Sequence, residues 1–171
     1  MELLYRYEAK LAEPTPVGPV PGGIRIDIEF HGELTAGILA GGSGWGSEYL
    51  LQRSDGVGQI DARDTFEIPG GGVLHAKAKG FVLPPEGVAM PSIEAMLDPG
   101  FEPPDVRMLI HAYALCSTGS PEFEHLNRTL VKVDGWVNNG TGELVLEGHA
   151  AAVEGAAAVA LGPGVERAAT A

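Results

Sequence analysis

The chain is short of cysteine, of positive charge and of long apolar runs, and each shortage excludes something. Cys116 is the sole cysteine among 171 residues, so no intramolecular disulfide can form. That economy fits a reducing compartment, and a cytoplasmic protein is expected. Lys and Arg number 11 against 23 Asp and Glu, for a formal net charge of −12. Nucleic acids and anionic membranes are met by basic patches, so neither is expected as a partner. No apolar run approaches the roughly 20 residues that cross a bilayer, and no basic-then-apolar leader opens the chain.

Familiar catalytic signatures are also missing. The chain has no G-x-x-x-x-G-K-[ST], no H-E-x-x-H and no G-x-S-x-G. "GGSGWG" at 41–46 is Gly-rich but does not lead from a strand into a helix, and it reads as a turn or flap. His31, His75, His111, His125 and His149 include no pair at close metal-ligand spacing, so neither a metal nor a cofactor is expected.

What the chain does have is turn chemistry and alternation. With 25 Gly and 13 Pro, turns must be frequent, and 44% hydrophobic residues suffice for one core. "GGIRIDIEFHGEL" (22–34) places Ile24, Ile26, Ile28 and Phe30 on one side and Arg25, Asp27, Glu29 and His31 on the other. Period-two patterning of this kind marks a strand with one apolar face. Similar segments recur at short spacing: "ELLYRYEAKL", "EYLLQR", "GQIDARDTFEI", "VLHAKAKGFVL", "DVRMLIHAYALCS", "NRTLVKVDGWV" and "GELVLEGHAAAV". About eight hairpin-linked strands predict an all-β fold, a single antiparallel barrel over residues 1–152, followed by an Ala/Gly-rich tail at 153–171. Pro84, Pro85, Pro91, Pro99, Pro103 and Pro104 interrupt the rhythm, and the loop 84–105 is expected to border the barrel mouth.

A closed barrel turns one face of every strand inward, so shared polar faces are candidate sites. Arg107, His111 and Tyr113 share one face of their strand, His75 and Lys77 another, and Asp61 and Arg63 a third. Carboxylates, imidazole and phenol in a low-dielectric pocket acquire the shifted pKa values that proton transfer needs. His111 or His31 is the candidate base, Tyr113 or Glu29 the candidate acid, and Arg25 or Arg63 the candidate oxyanion holder. The Arg25–His31 polar face and the His111–Tyr113 pair are therefore expected inside the barrel. Asp61 and Arg63 could equally form a structural ion pair, and Trp45 and Tyr49 either core or pocket wall. Cys116 reads as a buried thiol.

Three stretches taken together resemble the domain-of-unknown-function 3237 family of small bacterial proteins. They are "VGPVPGGIRIDIEFHGELTAGIL", "EYLLQRSDGVGQIDARDTFEIPGGGVLHAKAKG" and "CSTGSPEFEHLNRTLVKVDGWV". The resemblance spans roughly residues 2–150 and rests on the order and spacing of all three. It implies a β-barrel of the lipocalin or allene-oxide-cyclase type, often oligomeric, with Arg25, Asp61, Arg63 and Asn127 at family-typical positions. Glu48-Tyr49 stands where the family tends to have Asp-Trp, and Phe123-Glu124-His125 replaces a more aromatic pattern, which implies an altered pocket.

The sequence therefore predicts a cofactor-independent isomerase, cyclase, hydratase or lyase. It would act by acid–base chemistry on a small, largely apolar carbonyl or phenolic compound inside the barrel. The alternative is a non-catalytic barrel that binds a small apolar or aromatic ligand. A homo-oligomer is also expected, on the argument that the face carrying Met108, Ile110, Ala112 and Ala114 would otherwise expose apolar surface.

Overall fold

A computed structural model describes residues 1–151. Nine strands form one sheet: β1 (Leu3–Leu11), β2 (Thr15–Val20), β3 (Gly23–Ala36), β4 (Ser43–Arg53), β5 (Gly58–Glu67), β6 (Val73–Leu83), β7 (Met108–Thr118), β8 (Leu130–Asn138) and β9 (Glu143–Ala150). Every pairing is antiparallel, and β1 bonds to both β9 and β3, so eight strands close into a barrel. The ninth, β2, lies outside that ring. The 14-residue β3 serves two partners on one edge: β1 along its second half, from Phe30 to Ala36, and β2 along its first, from Gly23 to Asp27. Pro16 and Pro19 lack the N–H that a central strand needs, so β2 stays at an edge. The expected barrel is present, with one added strand; the expected tail at 153–171 lies outside the described residues.

The apolar side of each of the eight barrel strands is the inner one. On β3, Ile24, Ile28 and Phe30 are buried and Ile26 packs against the core, whereas Glu29 and His31 are exposed. The expectation that the Arg25–His31 face looks inward is overturned. An eight-stranded barrel has an interior just wide enough for side chains to fill, so the apolar set takes it and the charges keep their water. Likewise Met108, Ile110, Ala112 and Ala114 of β7 are core, not a subunit-facing surface.

One end of the barrel is sealed. Leu4, Leu34, Leu39, Phe66, Leu74, Leu126 and Val131 are all under 2% exposed and fill it. Tyr5 and Tyr7 stand above this plug with ring centroids 5.4 and 5.3 Å from Phe66. The Tyr5 ring fits because β9 offers it Gly148, where a β-carbon would lie 2.3 Å from the ring. Tyr7 donates its hydroxyl to the Gly44 carbonyl at 2.9 Å, which satisfies a polar group at no exposure.

The other end carries the β4–β5, β6–β7 and β8–β9 connections. The longest, residues 84–107, holds one helical turn, α1 (Ile93–Met96), capped by the Ser92 side chain. Met90 and Val106 from this connection pack onto the core. Asn138, 5% exposed, donates to Asp105 Oδ1 at 2.6 Å and accepts the Gly140 and Thr141 N–H groups at 3.0 and 3.2 Å. The long loop is thus tied across the barrel mouth, where the sequence placed it. No described helix is long and apolar enough to cross a membrane.

Candidate functional site

Packing leaves about 90 Å³ unfilled in the barrel interior, between the aromatic plug and Met90. Its wall is mostly apolar, with Ile28, Phe30, Ile60, Ala112 and Val133 among the lining side chains; Tyr5, Gln52 and Asn139 add neutral polar groups, and Glu48 and Asp64 carry acid groups. Among the described residues no lysine, arginine or histidine lines this space.

The backbone brings the two carboxyls together. In the β4–β5 ladder Gly46 faces Asp64 and Glu48 faces Ala62, so Glu48 and Asp64 are diagonal neighbours on the inner face. Such diagonal positions have α-carbons about 7–8 Å apart, within reach of one bound molecule. Asp64 is 5% exposed, and its Oδ1 finds no hydrogen-bond partner. Gly46 makes room for it.

Glu48 is held differently. Backbone pairing between β4 and β5 runs to Glu48–Ala62 and resumes only at Leu51–Gln59. Inside that gap the Asp61 N–H donates to Glu48 Oε1 at 2.9 Å. A carboxylate oxygen thus replaces a backbone carbonyl in the ladder, and this fixes the side chain in the barrel wall.

Burial pushes both acids up. Glu48 rises to about 8, through desolvation and the nearby Asp64 and Asp61 charges, against the Asp61 N–H and Arg25, which lower it. Asp64 rises to about 7 by desolvation, with Arg63 pulling the other way. Cys116 rises to about 11 by burial and by Asp64, so its thiol stays protonated at neutral pH. Of these groups the two carboxyls are the ones that gain and lose a proton near neutral pH.

Most of the residues singled out in the sequence lie on the outer surface. His111 and Tyr113 are exposed; His111 Nδ1 sits 2.8 Å from Asp134 Oδ1, and Lys132 binds the other oxygen, Asp134 Oδ2, at 2.7 Å. Arg25 pairs with Asp27 at 2.8 Å and lies 5.2 Å over the Tyr49 ring. Asp61 binds Arg63 and, at 3.2 Å, Lys79, so the D-x-R pair is a structural ion pair on the outside. Arg25, Tyr49, Asp61, His111 and Tyr113 border one shallow outer depression, so the structure does gather them, though outside the barrel. Glu29, His31, Trp45 and His75 are exposed on the same outer surface, away from the interior. Asn127 sits in a 3-10 turn (Glu124–Arg128), accepting the Thr118 N–H at 2.7 Å and donating to the Thr118 carbonyl at 3.0 Å. It pins the end of β7. One physical reason covers these corrections: each polar face belongs to a strand whose other face is apolar enough to fill the barrel.

The sequence did hold a signal for the two acids. In "GQIDARDTFEI" the register Ile60, Ala62, Asp64, Phe66 is apolar but for one carboxyl, and Gly44, Gly46, Glu48, Leu50 is the same. A single charge within an apolar register marks a buried titratable group better than a wholly polar face does.

Comparison with known proteins bears on the fold alone. No protein-family model matches the chain, and no curated protein does either. A conserved protein of unknown function from Rhodopseudomonas palustris superposes with a TM-score of 0.63 at 21% identity, over 87% of this chain and 95% of that one. A beta-barrel like protein from Acinetobacter baumannii gives 0.63 at 19% identity, over 87% and 93%. A protein of unknown function from Clostridium acetobutylicum gives 0.63 at 16%, over 88% and 98%. This chain is therefore similar in fold, over 87–88% of its length, to these three proteins, one of them described as beta-barrel like.

Proposed function

We propose that the protein is a cofactor-independent acid–base enzyme that takes a small, largely apolar carbonyl compound into the barrel, with Glu48 and Asp64 as its proton-transferring pair. The observation that carries this is the pair itself: two carboxyls on adjacent strands, facing one apolar space, both raised into the neutral range by burial. Acid–base catalysis is most effective when the pKa lies near the working pH. With one proton between them, the ionised carboxyl removes a proton from the carbon beside the carbonyl. The neutral one donates a hydrogen bond to the oxygen as negative charge builds there. Return of a proton to another carbon completes an isomerisation. The roles expected of His111, Tyr113, His31, Glu29 and Arg25 pass to these two acids. Resemblance to the domain-of-unknown-function 3237 family remains part of this proposal.

The test needs no knowledge of the natural substrate. Small ketones such as butan-2-one in D2O should exchange their α-protons faster with the protein present, read by NMR, and Asp64→Asn and Glu48→Gln should each abolish the acceleration. Absence of any acceleration by the wild type would refute the reading.

A binding barrel without catalysis is the second reading, favoured by the lack of any cation on the interior wall to hold an oxyanion. Ligand-induced shifts without exchange would select it. Self-association is likewise proposed, on the outer face of β6 to β8, where Phe81, Leu109, Tyr113, Leu115 and Leu130 are exposed. Light scattering of Leu115→Glu against wild type tests it.

A further inference from the structure

We infer that the ligand of the barrel interior carries a positive charge: a small apolar molecule with an ammonium group, seated with its nitrogen between Asp64 and Glu48. The inference rests on the reading above only in taking the interior as the binding site, and it adds the class of compound.

Three observations point the same way. Asp64 presents a buried oxygen with no partner, an unmet acceptor that an N–H donor from a ligand would satisfy. Among the described residues the space holds two acids and no cationic side chain, so an anion would face two carboxyls with only the neutral Gln52 and Asn139 amides to meet it. Two carboxyls sharing one proton carry a charge of −1, and a monocation brings the apolar interior to neutrality. The third observation is independent of the interior. Connections at the open end carry Asp55, Glu86, Glu94, Asp98, Glu102 and Asp105 against Arg53 and Arg107. Arg53 is bound to Asp55, and Arg107 stacks 4.1 Å over the Trp136 ring. Glu86, Glu94, Asp98 and Glu102 form no ion pair among the described residues. A mouth rimmed by one sign of charge concentrates the opposite sign at its opening.

Size narrows the class further. About 90 Å³ of unfilled space admits a ligand on the order of a four-carbon chain, since a cavity of about 150 Å³ already accepts benzene. A primary amine of that length places its methyl end among Ile28, Ile60 and Val133 and its nitrogen at the acids.

Binding should be coupled to protons. Tyr5 and Tyr7 from β1 and Cys116 from β7 stand near the two carboxyls on the inner side, and the charges of Arg25 on β3 and of Asp61 and Arg63 on β5 act on them from the outer face. The tyrosines and Cys116 stay neutral below pH 8, because burial raises each of them further. Asp61, held below its ordinary value by Arg63 and Lys79, stays ionised across pH 6 to 8. Seating an ammonium ion therefore drives a proton off Glu48 or Asp64, and affinity rises with pH through that range.

The experiment is an NMR titration of the full chain with butylamine, butan-2-one and butyrate at pH 6 and pH 8. Butylamine should shift the amides of Gly46, Ala62 and Ala112. It should bind at least about tenfold more tightly than butan-2-one at pH 8 and weaken toward pH 6, while butyrate shifts none of these amides. Asp64→Asn should lower butylamine affinity about tenfold or more and remove its rise with pH, whereas an unchanged amine affinity in that variant would overturn the inference. Should that variant not fold, Glu48→Gln serves the same purpose. Equal binding of amine and ketone, or amine shifts confined to the outer loops, would overturn the inference. If butan-2-one exchanges its protons and butylamine does not bind inside, the acid–base reading stands and this one falls. If butylamine binds and no ketone exchanges, this one stands and the acid–base reading falls.

Discussion

Gly46 faces Asp64 across β4 and β5, and a β-carbon at Gly46 would lie 2.6 Å from Asp64 Oδ1. The same β-carbon would stand 2.6 Å from the Phe30 ring. The glycine is therefore the space the acid occupies. Gly46→Ala should displace either the carboxyl or the Phe30 ring and destabilise the fold by about 1–3 kcal/mol, the usual cost of overpacking. Urea denaturation measures the loss. A neutral result would mean that neither group is held where it stands.

Stability should fall as pH rises from about 4 to about 8. Asp64 moves from its ordinary 3.8 to about 7 in the fold, and Glu48 from 4.5 to about 8. Between those values the folded state keeps protons that the unfolded chain has released, so each rise in pH favours unfolding, by up to about 1.4 kcal/mol per unit for each acid. Above the folded values the effect is complete. Denaturation midpoints at pH 5 and pH 8 should differ in that direction, and Asp64→Asn should flatten the profile. A midpoint that rises across this window would show the acids to be ionised in the fold.

His111→Ala should leave ketone exchange within about twofold of wild type. Its ring is on the outer surface beside Asp134, and exposed pairs of this kind contribute about 0–1 kcal/mol. A loss of two or more orders of magnitude, the span for a catalytic acid or base, would return the histidine to the site.

Asn138→Ala removes three hydrogen bonds that tie the 84–107 connection and the β8–β9 turn across the mouth. A destabilisation of about 1–3 kcal/mol is expected, since Asp105 Oδ1 and two backbone N–H groups lose a buried partner. Hydrogen exchange should quicken at residues 86–106 while the β4–β5 amides keep their protection. Uniform quickening over the whole barrel would show that the loop does not open on its own.

The sequence by itself determined the all-β class and the hairpin order of the barrel strands. Alternation such as that of Ile24, Ile26, Ile28 and Phe30 forces a strand, and Gly- and Pro-rich turns at short spacing force antiparallel neighbours. It also placed the long proline-rich loop at the mouth, because only one interruption in the chain was long enough to cross it. Which way each face looks was decided by tertiary structure. Period two separates Arg25, Asp27, Glu29 and His31 from their apolar neighbours but is blind to direction, and only the limited volume inside eight strands sends the apolar set inward. The same limit explains the misplacement of His111 and Tyr113. Glu48 and Asp64 became visible as a pair only when the β4–β5 register set them diagonally and the closed barrel removed their water. A carboxyl's pKa is a property of what surrounds it, and the surroundings here come from strands far apart in the chain.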